Sequence, residues 1–286
     1  MEMKDVARIL STSLSKLMRT RGNRGMAETK TNVLAIAFGG GRNGAMLFAM
    51  YEHGVRPDVI TFADTGGEKP ETYEAVERMS KWSEEHLGQS IVTVHKNSMY
   101  SSLEDNCLKK KMLPSAAYGF RSCSDKWKIQ PQAVFMNSYG PAIECWAAGN
   151  KVTKALGYDA GEMRRGQNIK EDAKYRYWFP LQEWGWYLED CIAAYERHGL
   201  AVPPKSACYY CPSSTKKEVL ALAKDHPDLF QRAVEMERNA ASNLKVVIGL
   251  GRHWSWENLV QISEAQLQLL PEPPQIACVC FDGEDL

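Results

Sequence analysis

Residues 33–38 read VLAIAF, an almost unbroken apolar run that ends in three glycines. Its length and continuity predict a strand covered on both faces of a parallel sheet. Residues 45–50 (AMLFAM) then open a helix. The pattern repeats at 58–63 (DVITFA), a second apolar strand, followed by a helix over 71–87. Pro70 suits the first turn of that helix, Glu71 suits its dipole, and Tyr73, Val76, Met79 and Trp82 keep helical spacing as far as Gly88, a candidate C-cap. Residues 91–94 read as a third strand, 98–112 as a helix, and the apolar run 142–148 (AIECWAA) as a fourth strand that buries Cys145.

Further on, the pattern predicts an aromatic-rich helix over 184–198, helices near 216–224 and 227–239, and beyond Trp254 a helix with Leu259 and Leu267 on its apolar side. Strand–helix units joined by short turns require right-handed crossovers. The expected fold class is therefore α/β: a parallel twisted sheet with helices on both faces, plus a mainly helical, cysteine-containing C-terminal region. The expected division is a basic extension at 1–31, a nucleotide-binding α/β domain at 32–165, a cysteine-containing helical region at 166–245 and a tail at 246–286.

Composition narrows the class. The 286 residues carry 35 acidic and 35 basic side chains, so no global field draws the chain to nucleic acid or to a membrane. A local basic surface, such as one around Lys109, Lys110 and Lys111, is still compatible with that balance. No apolar stretch reaches bilayer length, so no membrane partner is expected. Eight cysteines without a secretory signal point to a reducing compartment, the cytoplasm, where clustered thiols hold metal or do redox work. In the first thirty residues Arg8, Lys16, Arg19, Arg21 and Arg24 accompany Val6, Leu10, Leu14 and Leu17 at roughly helical spacing. This reads as an amphipathic docking helix or an extension. Glu2 and Asp5 argue against an organelle-targeting peptide.

The chemistry starts at the glycines. A strand, a glycine-rich turn and a helix in succession aim backbone N–H groups and a helix dipole at one spot, which suits a phosphate. Gly39, Gly40, Gly41, Arg42, Asn43 and Gly44 lack the Lys-Ser/Thr ending of a Walker loop and the spacing of a dinucleotide fingerprint. Asp64 and Thr65 follow the second strand at its carboxyl end, where open α/β sheets collect ligands.

GGGRNG followed by FADTGGEKPETY resembles the PP-loop superfamily of adenine-nucleotide α-hydrolases, in particular its phosphoadenosine-phosphosulfate (PAPS) reductase-like branch. The likeness continues through Arg121, Cys123, Lys128 and Pro131, then through Glu162 and Arg165, with Gly161 in place of the first acid of the family's acidic pair. It goes on through Asp190-Cys191 and the KSACYYCP turn, and covers residues 32–239. The resemblance implies an adenine nucleotide, ATP or PAPS, held by residues 39–44 with Asp64 and Thr65, and catalytic roles for Asp64, Glu162 and Arg165. Without the resemblance, Asp64 reads as a cap of the turn into the following helix, and Glu162 with Arg165 as a surface ion pair.

The spacing of Cys208 and Cys211 allows two thiolates to share one metal or cluster, or to form a redox pair. Cys123 and Cys191 match family cysteines, so the resemblance implies four ligands for a [4Fe-4S] cluster or a structural Zn2+. Related enzymes that install sulfur in tRNA or DNA use such a cluster. The implied activity is sulfur transfer, with a sulfur-donor protein and a nucleic-acid acceptor as candidate partners. Asn43 stands where ATP-using members carry Asp, which supports a nucleotide pocket more strongly than ATP cleavage or Mg2+. Two alternatives stay open: a PAPS reductase using Cys278 or Cys280 as nucleophile, and a catalytically degenerate nucleotide-binding module with structural zinc.

Overall fold

The computed structural model describes residues 32–261. The basic extension, Leu267, Cys278 and Cys280 lie outside the described residues.

Strand β1 (Leu34–Phe38) runs into the glycine turn, and a 3-10 turn (Arg42–Ala45) continues into α1 (Met46–Glu52). There follow β2 (Val59–Asp64), α2 (Pro70–Leu87), β3 (Ile91–His95) and α3 (Leu103–Lys109). A π-helical turn (Asp125–Ile129) leads into α4 (Gln130–Ser138) and α5 (Gly140–Ala147), then β4 (Val152–Leu156) and β5 (Tyr175–Trp178). The helices α6 (Leu188–Arg197), α7 (Lys216–Asp225), α8 (Pro227–Ala240) and α9 (Trp256–Gln261) complete the described chain. The five strands form one sheet in the order β3-β2-β1-β4-β5, and every neighbouring pair is parallel.

The sequence pattern explains why β1 is central. Leu34, Ile36 and Phe38 pack on one face with Met46, Phe48, Val76 and Met79, while Val33 and Ala35 pack on the other with Met136, Ala142 and Cys145. Each such buried aliphatic side chain contributes roughly 1.5–3 kcal/mol. A third apolar layer gathers Cys107, Trp127, Tyr209 and Tyr210 with the inner faces of α7, α8 and α9. Glu237 on α8 pins the chain before α9: its carboxylate accepts the N–H of Leu250 at 2.6 Å and of Trp256 at 2.9 Å. Burial pushes that carboxyl up to about 7.

Three expectations are corrected. Residues 142–148 are helical rather than a strand: Pro141 sits in the first turn, and the buried positions Ala142 and Cys145 are three apart while Ile143 is exposed. The fourth strand is Val152–Leu156, whose apolar pattern is broken by Lys154. The division expected at residue 165 cuts through the sheet, because β5 pairs with β4 and α6 packs into the same core as β1.

Lys154 lies inside the sheet, 3% exposed, with its ammonium 5.5 Å from the ring centre of Tyr175. Desolvation lowers its pKa from 10.5 to about 7, against the raising effect of Asp172. The folded state therefore disfavours the charged form, so this group's contribution to stability is poorest below pH 7 and improves as pH climbs toward the unfolded value. Lys154→Met is expected to stabilise the protein by about 1–4 kcal/mol at pH 6. In denaturant titrations that gain should shrink steadily as the pH approaches 10.

Candidate active site

Because β2 and β4 leave β1 on opposite sides, the loops after β1 and β4 part and open a crevice at the carboxyl ends of the strands, the position at which open α/β sheets bind ligands. A cleft of about 410 Å3 occupies it, within the usual range for small-molecule sites. Its lining combines apolar side chains, Phe38, Met46, Leu156, Tyr158 and Leu188, with the glycine turn and the polar residues Arg42, Lys128, Lys205 and Ser206.

The glycines serve different ends. Gly39 faces open space: a Cβ placed there would meet nothing within 4 Å. Gly40 has φ +75, which glycine adopts at little cost, and it is packed so closely that a Cβ would lie 2.9 Å from Thr72. Gly44 closes the turn, its N–H donating to the Gly41 carbonyl at 2.9 Å.

The loop after β4 is tied to this turn through Asn43. Its amide Nδ2 donates to Glu162 Oε2 at 2.8 Å and to Asp159 Oδ2 at 3.3 Å. Asp159 in turn accepts the N–H of Gly161 at 2.8 Å, capping the 3-10 turn that carries Glu162. Arg165 donates to Glu162 and lies with its guanidinium 4.3 Å from the Tyr158 ring centre. Tyr158 stacks on Phe179.

Lys128 comes from the π-helical turn, a distortion frequent at functional sites. Its ammonium pairs with the wholly buried Glu68 side chain at 2.9 Å. Lys205 pairs with Glu218 at 3.3 Å.

The cleft thus brings together Gly39, Gly41, Arg42, Asn43, Gly44, Glu162 and Arg165 of the residues expected from sequence. It also recruits Lys128, Tyr158, Asp159, Lys205 and Ser206, which the sequence reading did not assign to a site. Gly40, Asp64 and Thr65 do not line the cleft. Asp64 accepts the Gly66 N–H at 2.7 Å and the Tyr73 hydroxyl at 2.8 Å, so it organises the turn into α2. Thr65 is buried, with its hydroxyl 3.1 Å from Cys208 Sγ.

Of the four cysteines expected as ligands, Cys191 lies in one apolar layer and Cys123 and Cys208 beside another. Cys191 is fully buried in the sheet core with Leu181, Ala194 and Tyr195, and desolvation pushes its thiol up to about 12. Cys123 and Cys208 border the separate apolar layer beneath α7 and α8, where Cys107 is likewise pushed up to about 12 by burial. Among the described residues no group of three His, Cys, Asp or Glu side chains stands where it could hold a metal ion.

No family model matches the chain. An uncharacterized protein of Methanocaldococcus jannaschii, MJ0973, is 22% identical over 246 residues, which is 82% of this chain and 54% of that protein. The chain spans about half the length of this curated relative. Among solved structures, the chain is similar to the U34-tRNA thiolase NcsA from Methanococcus maripaludis with its [4Fe-4S] cluster, at 16% identity and a TM-score of 0.44, covering 85% of this chain and 82% of that one. Among the described residues no helix is long and apolar enough to cross a membrane.

Asn43 keeps Asp159 and Glu162 side by side by donating to both. Asn43→Asp replaces that donor with a third carboxylate and is expected to cost about 1–3 kcal/mol at pH 7. The deficit should narrow at pH 4.5, where one carboxyl of a crowded set takes up a proton first. Urea melts at the two pH values check both the size and the trend.

Proposed function

We propose that the cleft binds an adenine nucleotide, and that the protein is a PP-loop enzyme of the PAPS reductase-like kind acting in sulfur transfer. The observation that carries the nucleotide reading is Gly39: bare backbone at the end of β1 faces an open cleft whose lining includes Arg42, Lys128 and Lys205. Phosphate groups suit that rim, where backbone and cations meet. The apolar wall of Phe38, Met46, Leu156 and Tyr158 offers a face for the base.

Mg2+ accompanying ATP fits Asp159 and Glu162, since this ion is held by one or two carboxylates together with phosphate oxygens. There it would neutralise phosphate charge. Lys128 and Lys205 would orient the phosphates, and Arg165, fixed by Glu162 and the Tyr158 ring, would hold a charged group at the mouth of the cleft. In the reaction, an oxygen of the acceptor attacks the α-phosphorus of ATP and releases pyrophosphate. A sulfur nucleophile then takes the place of the adenylated oxygen and AMP leaves. A nucleic acid is the acceptor this reading takes, and a sulfur-carrying protein the donor.

Isothermal titration with ATP and with PAPS tests the reading. Binding of one of them is expected at micromolar concentration, and Gly39→Val should abolish it with the melting temperature unchanged, since the new side chain enters only the cleft. Failure of the wild-type protein to bind either nucleotide overturns the proposal. Binding of ATP without pyrophosphate release in the presence of Mg2+ and acceptor RNA would instead identify the degenerate module.

A further inference from the structure

The glycine turn brings backbone to the cleft but no hydroxyl, since residues 39–44 read GGGRNG. A hydroxyl reaches it from far along the chain. Ser206 lines the same cleft and packs against the bare side of Gly41, where a Cβ would lie 3.0 Å from Ser206 Oγ and 3.3 Å from Ser206 N. Gly41 has φ −108, which any residue adopts, so the missing side chain provides room for Ser206 rather than relief of backbone strain.

Both residues are held by contacts that do not use this hydroxyl. The Gly41 carbonyl accepts the Tyr195 hydroxyl at 3.2 Å and the Gly44 N–H at 2.9 Å. The segment that carries Ser206 is fastened by the Tyr209 N–H, which donates to the Gly67 carbonyl at 2.8 Å, and by a backbone bridge between Glu68 and Cys208. Lys205 anchors it further by pairing with Glu218. Among the described residues the Ser206 hydroxyl itself has no hydrogen-bond partner. Arg42 is alike in this respect. The other cations lining the cleft, Lys128, Lys205 and Arg165, each face a carboxylate, whereas among the described residues none pairs with Arg42. One fixed hydroxyl and one exposed guanidinium are therefore left unengaged at the same opening.

We propose that Ser206 and Arg42 form, with the open backbone at Gly39, a subsite for one phosphate group of the ligand, Ser206 supplying the hydroxyl that the glycine turn lacks. Its O–H donates to a phosphate oxygen without first giving up another protein hydrogen bond, and the guanidinium meets the same group as a planar fork. A phosphate bound there ties the turn after β1 to the segment that leads into Cys208 and Cys211. The subsite rests on the nucleotide reading of the cleft, yet it is tested with an anion that carries no base.

The test is isothermal titration of the full chain with inorganic pyrophosphate and with ATP. Ser206→Ala is expected to weaken binding of both about 10-fold, with the melting temperature unchanged, because the lost hydroxyl leaves no protein partner stranded. Gly41→Ala keeps the hydroxyl but displaces it, and should weaken both ligands as well. Arg42→Gln should lower affinity and flatten its dependence on salt, whereas Ser206→Ala, which removes no charge, should keep the wild-type slope. Equal affinity of wild type and Ser206→Ala for whichever ligand is bound overturns the subsite and leaves nucleotide binding standing. If wild type binds pyrophosphate through Ser206 but neither ATP nor PAPS, the subsite stands and the nucleotide reading falls. Binding of neither pyrophosphate nor ATP overturns both. Should Ser206→Ala fail to fold, Arg42→Gln at its exposed position decides the matter: unchanged pyrophosphate affinity and salt slope there overturn the subsite.

Discussion

The site depends on a constraint of connection. A strand in the middle of a parallel sheet can be followed by crossovers to either side, and where successive crossovers diverge their loops must separate. Here the divergence falls at β1, with β2 on one flank and β4 on the other. The crevice is therefore a consequence of strand order. What the local sequence adds is its lining: glycines where backbone has to reach the opening, an aromatic wall on the β4 side, and cations brought in by segments far along the chain.

Parting loops would be free to drift without a tie, and Asn43 supplies it. An amide donor facing two carboxylates is the neutral way to hold Asp159 and Glu162 together; an acid at that position would need a cation or a proton. Asn43 is thus a structural element of this cleft, the donor that holds two carboxylates together. The Arg165 guanidinium completes the set by pairing with Glu162 and covering Tyr158, so charge and aromatic wall are positioned by the same few side chains.

Much of this was legible in the chain, and the exceptions have physical causes. Residues 33–38 could be read because a strand covered on both faces has to be apolar throughout. Residues 152–156 could not, because Lys154 breaks the run, and a buried lysine is a rare choice that pattern rules count as surface. The 142–148 stretch misleads for the opposite reason: a short apolar run fits either period, and only Pro141 hinted at a helix. In the site, Asp159 escaped notice because it lies in a short loop segment with no periodic pattern to mark it. The available signal was Asp159 itself, an acid two residues before a glycine whose N–H it caps. Cys191 was matched by likeness to a ligand cysteine, yet Ala194 and Tyr195, three and four residues on, place it on the buried stripe of α6. Lys128 entered the site through a π-helical turn, which no residue periodicity announces.

Burial separates the cysteines by chemistry. Desolvation disfavours a thiolate, so Cys107 and Cys191, pushed up to about 12, behave as small apolar side chains. The Cys208–Cys211 turn is different because its thiols are partly open and one of them adjoins a charged pair. That pair also reaches the cleft, since Lys128 lines it and Glu68 does not. An anion drawn into the cleft competes with Glu68 for the same ammonium, and whatever Lys128 yields to the anion it withdraws from the carboxylate beside Cys208. In a low-dielectric interior such a redistribution is felt strongly over a few ångströms. The Lys128–Glu68 ion pair therefore stands between the cleft and the Cys208–Cys211 turn.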